Sequence, residues 1–221
     1  MGRPFDTDDP TGLGRRISEG VLRQIEQGIT REFGRGTTKP EGTVTILFTD
    51  VEGSSALVHR LGDEAARSIL RRHDDVLRSV FARHGGTEVE HAGDSFMVAF
   101  STARRALACA VDLQREVAEV GRHHPGEAIR IRIGMDTGEV IAEEKGYFGK
   151  TVFRAARIAA AAEGGQILVS EATRILAGAD GSTFRDLGEH ELKGLGGSHR
   201  LFEVAHTEVL PGGKPGGPDG P

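Results

Sequence analysis

The sequence predicts an α+β fold, a ferredoxin-like βαββαβ core with additional C-terminal strands. Two observations lead there. From residue 43 to residue 135, short apolar runs alternate with long amphipathic stretches in the order strand, helix, strand, strand, helix, strand. Beyond another helix and a short strand, two more strand-like runs follow near 184–192 and 201–205. Periodicity of this kind predicts a fold and no function.

Residues 43–49 (TVTILFT) form a β-branched, apolar run that suits a buried strand. A long helical stretch from 56 to 84 comes next, then short strands at 87–91 and 95–100 joined by a tight turn containing Ala92 and Gly93. A second helix is expected over 102–120 and a strand at 129–135 (IRIRIGM). Another strand at 139–142 leads through a loop to a helix at 150–162. Residues 166–170, a short helix and the two terminal strands complete the series, and no internal repeat is visible.

Around this body, residues 1–13 read as a flexible leader and 14–38 as an N-terminal helix and linker. Residues 42–206 read as the main folded domain and 207–221 as a disordered Gly/Pro tail. Ile17, Val21, Leu22, Ile25, Ile29 and Phe33 recur at spacings of mostly three and four, which places them on one helical stripe. Such a stripe packs on the domain, pairs with a second copy or transmits a signal, and the pattern alone does not choose.

At 221 residues the length favours one substantial domain with tails. The formal net charge is −5 and no dense Lys/Arg block occurs, which argues against a nucleic-acid partner. The single cysteine, Cys109, forms no internal disulfide and fits a reducing, cytoplasmic setting. No apolar leader is present and no stretch approaches ~18 uninterrupted apolar residues, so neither a signal peptide nor a membrane partner is expected. Nine histidines are scattered without metal-ligand spacing, and neither a P-loop nor a serine-nucleophile elbow occurs.

Two segments carry chemistry. In Phe48-Thr49-Asp50-Val51-Glu52-Gly53-Ser54-Ser55 a carboxylate leaves a strand end just before a helix start. Asp50 there suits a hard cation, and the backbone N–H groups of Gly53, Ser54 and Ser55 suit phosphate oxygens. Equally, Asp50 or Ser54 suits a helix cap. In His91-Ala92-Gly93-Asp94-Ser95-Phe96 a Gly-Asp turn joins two strands, an arrangement common in hairpins of no special function. In a ferredoxin-like sheet, however, that hairpin lies beside the first strand. Asp50 and Asp94 would then converge, and two close carboxylates repel unless cations sit between them.

GTVTILFTDVEGSS, HGGTEVEHAGDSFMVAF, IRIRIGMDTGEV, FGKTVFRAARIAAAAEGGQILVS and DLGEHELKGLGGSHRLFEV, in this order and spacing, together resemble the class III adenylyl/guanylyl cyclases over residues 42–205. The resemblance implies that family's nucleotidyl cyclase fold and a homodimer with active sites at the subunit interface. It implies two divalent cations, Mg²⁺ or Mn²⁺, held by Asp50 and Asp94 with the backbone carbonyl of Val51. One ion would help activate the ribose 3′-hydroxyl while the other grips the polyphosphate of a nucleoside triphosphate, and O3′ would attack the α-phosphorus with loss of pyrophosphate. Arg157 falls on the family arginine that steadies the developing phosphate charge, and Lys193 lies near the phosphate-binding lysine of some relatives.

Three positions depart from the adenylyl pattern. The lysine that reads adenine N1, four residues before the second metal aspartate, is replaced by Glu90. The second base-reading position falls on Gly146, followed by Tyr147. A carboxylate opposes the N1 acceptor of adenine but suits guanine, whose N1–H and exocyclic amine both donate, and Gly146 leaves room near guanine O6. GTP is therefore the favoured substrate. The third departure is Phe153, where most active members carry the ribose-orienting Asn. Phenylalanine offers the ribose no hydrogen bond. A weak or inactive cyclase-like nucleotide-binding module, and a pyrimidine-nucleotide cyclase, are the alternative readings.

Overall fold

A computed structural model describes residues 40, 42–143, 146–178 and 183–206. The leader, the helix expected over 14–38 and the tail from 207 lie outside the described residues. The chain follows Thr43–Val51 (β1), Ser54–Leu61 (α1), Asp63–Arg83 (α2), Thr87–Ala92 (β2), Ser95–Phe100 (β3), Ala103–His123 (α3) and Ile131–Glu139 (β4). It continues through Ile141–Glu143 (β5), Gly146–Phe148 (β6), Lys150–Ala161 (α4), Ile167–Ser170 (β7), Glu171–Ala177 (α5), Thr183–Glu191 (β8) and Ser198–Ala205 (β9). A seven-stranded sheet runs in the order β2-β3-β1-β4-β7-β9-β8, and β5 pairs with β6 as a separate hairpin. Its first four members, β4-β1-β3-β2, are mutually antiparallel, which is the ferredoxin-like arrangement the sequence predicts. After α4 the chain re-enters the sheet as β7, parallel to β4.

The expected helix over 56–84 is two helices. Gly62, at φ 79°, ends α1 and opens α2 in a conformation that costs glycine nothing and other residues strain. Helix α2 places Leu77, Val80 and Phe81 against one sheet face, where α3 adds Ala106, Leu107, Ala110 and Leu113 to the larger core. Phe96 and Phe100, both fully buried there, each contribute about 1.5–3 kcal/mol.

Helix α4 covers the other face with small residues, and Gly134 shows why. A Cβ at Gly134 would stand 2.0 Å from the backbone nitrogen of Ala159, so helix and strand backbones touch. Val44, Ile46, Phe48, Met97, Tyr147, Val152 and Ala155 fill the core around this contact.

One irregularity bears on the site. Glu88 pairs with Val98 and Glu90 with Met97, which leaves Val89 as an extra residue in β2. Cross-strand partners share a face. The bulge therefore carries Glu90 from the Phe96 side to the Met97 side, the face that α4 covers.

Candidate functional site

Strand pairing assembles the site at one end of the sheet. Asp50 closes β1 one residue before its end, Ser95 opens β3, Arg132 lies near the start of β4, and Asp94 sits in the turn between β2 and β3. In register, Thr49 faces Phe96 and Asp50 faces Arg132, so Asp50, Ser95 and Arg132 share the α4 face. Asp50 and Asp94 are each only 4% exposed. Ser95 Oγ donates to Asp50 Oδ1 at 2.5 Å, and Arg132 Nε donates to Asp50 Oδ2 at 2.7 Å with a second guanidinium N–H on the same oxygen.

Asp94 is placed differently. Its carboxyl is pushed up to about 6 by burial and then by the negative charge of Asp50, against a hydrogen bond from Ser54 and the field of Arg132. Its Oδ2 is buried with no hydrogen-bond partner among the described residues. A buried acceptor oxygen without a donor, within the field of a second carboxylate, suits a hard cation. Among the described residues no group of three or more His, Cys, Asp or Glu gathers for a metal. An ion here would draw on two carboxylates, backbone carbonyl oxygens and its own ligand.

The turn after Asp50 does not cap by side chain. Gly53, at φ 68°, is the N-cap of α1 and makes no side-chain capping bond, and Ser54 is buried in the first turn. Neither Asp50 nor Ser54 therefore caps α1. Ser55 is half-buried beside Ser54. Val51 is 2% exposed, its side chain in the larger core. Glu52 ties the strand end to the loop after α4: Gly164 N–H donates to its Oε1 at 2.9 Å, and Arg130 pairs with it at 3.5 Å.

The remaining candidates lie along α4 and its surroundings. Gly146 and Tyr147 are buried in β6, and the Tyr147 hydroxyl donates to the Pro40 carbonyl at 2.5 Å. Glu90 is 8% exposed. Phe153 packs edge-on against Phe148 at 5.6 Å between ring centroids, which explains its place without a ligand. Arg157 is half-buried on α4 and no ion pair reaches it among the described residues. A Cβ on Gly194 would stand 3.9 Å from an Arg157 Nη, so the loop carrying exposed Lys193 meets Arg157.

Arg132 was not singled out in sequence, nor was Asp136, which is fully buried and accepts from Arg154 Nε at 2.7 Å. The available signal was the alternation Arg132, Gly134, Asp136 along β4, facing Asp50 across the ladder. A cleft of about 380 Å³ opens elsewhere, between α3, the loop at 163–166 and the end of β9. Its polar lining is largely engaged internally: Gln114 donates to Ile131 and Gln166 carbonyls, and His206 pairs with the Gly165 carbonyl. Cys109 is buried, and burial pushes its thiol up to about 12, which removes it as a nucleophile.

A family model described as the adenylate and guanylate cyclase catalytic domain matches residues 37–205. An uncharacterized protein of Mycobacterium tuberculosis is 37% identical over 176 residues, covering 77% of this chain and 58% of that protein. The chain thus spans about three fifths of that relative's length. An adenylate cyclase of Schizosaccharomyces pombe is 30% identical over 203 residues, covering 71% of this chain and 12% of the relative. The crystal structure of an adenylate/guanylate cyclase/hydrolase from Silicibacter pomeroyi superposes with a TM-score of 0.65 at 30% identity, covering 76% of this chain and 98% of that one.

Proposed function

The chain belongs to the adenylate and guanylate cyclase catalytic-domain family, and from that premise we propose that it converts a nucleoside triphosphate to the 3′,5′-cyclic monophosphate and pyrophosphate at a homodimer interface. The observation that carries the proposal is the pair Asp50 and Asp94, buried together at one strand end with the Asp94 carboxyl raised by burial and by Asp50. That surplus of negative charge suits two divalent cations, Mg²⁺ or Mn²⁺, held by the two carboxylates and the Val51 carbonyl. When bound, such ions offset the charge of the polyphosphate and acidify the ribose 3′-hydroxyl.

The chain's own groups do the rest. Backbone N–H groups at Gly53, Ser54 and Ser55 face the phosphates at the start of α1. Arg157 and Lys193, from the second copy, receive the charge that develops as the O3′–Pα bond forms and the Pα–O bond to pyrophosphate breaks. The 3′-hydroxyl proton leaves to solvent. Glu90 accepts from guanine N1–H and the exocyclic amine, while Gly146 beside Tyr147 leaves space at O6, so GTP is favoured over ATP. Ile141 and Phe148, 61% and 43% exposed on the β5–β6 hairpin, give the second copy an apolar surface to cover. Among the described residues no helix is long and apolar enough to cross a membrane.

The Phe153–Phe148 pair favours a second reading, a nucleotide-binding relative with weak turnover, because it fills the ribose-orienting position with an aromatic contact. The test is incubation with ATP, GTP, CTP and UTP separately, in Mn²⁺ and then Mg²⁺, with products identified by mass. Cyclic GMP that disappears in Asp50→Ala is expected. A folded dimer that binds nucleotide and yields no cyclic product from any of the four would replace the enzyme with the binding module, and cyclic CMP or UMP would replace the guanine preference.

A further inference from the structure

Asp50 and Asp94 are equally buried but differently neutralised. Both oxygens of Asp50 have donors inside the chain, Ser95 on Oδ1 and Arg132 on Oδ2. Asp94 Oδ2 has none among the described residues. Arg132 stands directly opposite Asp50 in the β1–β4 ladder, and the two side chains are 12% and 5% exposed. A guanidinium at such depth is costly unless paired, and an aspartate beside a second aspartate is costly unless neutralised. Register alone, through Asp50↔Arg132, meets both needs.

We propose that Arg132 is a positioning residue that serves as the resident counter-charge of Asp50, and that its guanidinium and a divalent cation are alternative partners for Asp50 Oδ2. The proposal rests on the cyclase reading of Asp50 and Asp94. Its consequence is ordered loading. The Asp94 side of the site accepts an ion in the nucleotide-free protein, whereas Asp50 Oδ2 exchanges Arg132 for an ion only once a triphosphate adds negative charge nearby. Arg132 also keeps the metal-free strand end folded. Without that counter-charge, two bare carboxylates would push the β2–β3 turn away from β1.

The experiment is Mn²⁺ titration by electron paramagnetic resonance, without nucleotide, on the full chain and on Arg132→Gln, with thermal unfolding in the absence of metal. Arg132→Gln should bind Mn²⁺ about tenfold or more tightly than the unaltered chain, because a competing positive charge at hydrogen-bond distance is gone. Its metal-free unfolding temperature should fall and recover when Mn²⁺ is added. Equal or weaker Mn²⁺ affinity overturns the proposal, as does an unfolding temperature that does not move or Mn²⁺ binding by neither protein. Should Arg132→Gln not fold, Arg132→Met decides: it removes the charge and keeps much of the side-chain bulk, so its Mn²⁺ affinity should rise, and no change overturns the proposal. Product formation by the unaltered chain is scored separately. An affinity rise in a protein that makes no product upholds Arg132 and sinks the cyclase, while product with no affinity change sinks Arg132 alone.

Discussion

The strand end carrying Asp50 and Asp94 and the helix carrying Arg157 solve opposite problems. At the strand end two acids are withdrawn from water, and the chain supplies Ser95 and Arg132 to hold Asp50 there. On α4 the cation is half-buried and nothing among the described residues pairs with it. A second arginine three residues earlier sharpens the contrast. Arg154 is locked by fully buried Asp136 at 2.7 Å, whereas Arg157 reaches toward the loop at Gly194. Buried charge has to be neutralised for a chain to fold at all, but a half-exposed cation folds without a partner and stays available to a ligand. Asp50 is completed from within, Asp94 keeps one buried oxygen without a hydrogen-bond partner among the described residues, and Arg157 is held by no ion pair there.

The largest effects should come from the acids. Asp50→Ala or Asp94→Ala should lower cyclase turnover by about 10³-fold or more, measured as initial rate of cyclic product at saturating Mn²⁺. Retention of a tenth of the activity in either variant would remove that residue from the site.

Arg157→Ala should cost about 10²–10³-fold in kcat, with thermal stability little changed, since no ion pair is lost. Arg154→Ala should do the reverse, lowering stability by leaving Asp136 buried and unpaired while sparing more of the turnover. If both variants lose stability equally, the contrast between the two arginines fails. Mixing inactive Asp94→Ala with inactive Arg157→Ala should restore about a quarter of the unaltered rate, because half the mixed dimers are heterodimers with one intact site of two. No recovery in a proven mixed dimer would place both residues in one subunit's site.

Gly134→Ala tests the seat of α4 itself. Its Cβ would meet the Ala159 backbone at 2.0 Å, so the helix would lift from β4. About 1–3 kcal/mol of stability should be lost in denaturant unfolding, with activity falling as Arg157 shifts. A smaller effect belongs to Phe153→Asn. If Phe153 only weakens ribose orientation, turnover should rise severalfold, offset by loss of the edge-on contact with Phe148, worth about 0.5–1.5 kcal/mol. A fall in kcat at unchanged stability would give the Phe153 ring a role of its own.

How much of this could be read in the sequence depended on whether a residue obeyed a period. The strand and helix order was legible because β1, β3 and α3 are long, regular and buried on the expected faces. Asp50 and Asp94 were legible as a strand-end acid and a Gly-Asp turn. Gly62 was not, because a lone glycine inside a helical pattern is usually tolerated, and only its φ of 79° shows a break. The bulge at Val89 was hidden too, since one extra residue changes faces without changing composition. Arg132 looked like the polar half of an alternating strand, a pattern that normally points at solvent. The partner that turns it inward lies 82 residues away. Phe153 looked like a defect until the β5–β6 hairpin brought Phe148 to it.

The smallest effect probes how the acidic hairpin is braced from the opposite sheet face. Asp74 on α2 lies 3.3 Å from His91 Nε2, and His91 stacks on Phe96 in the hairpin that carries Asp94. His73 approaches Asp74 at 3.6 Å, while Arg78 contacts His91 and is held by Glu88. Burial alone would raise the Asp74 carboxyl, but the nearby His73 and His91 imidazoles outweigh it and hold it at about 2. A folded value below the ordinary 3.8 means the ionised form is favoured by folding. The stabilisation is therefore present above about pH 4 and lost as pH falls from there through about 2. Unfolding temperature followed from pH 6 to pH 2 should drop less steeply in Asp74→Asn than in the unaltered chain, the two curves converging at the acid end. Parallel curves would mean that the histidines do not hold Asp74. A flattened curve with turnover at neutral pH nearly unchanged would mark the brace as structural support for the hairpin, separate from the charge that Arg132 supplies on the other face.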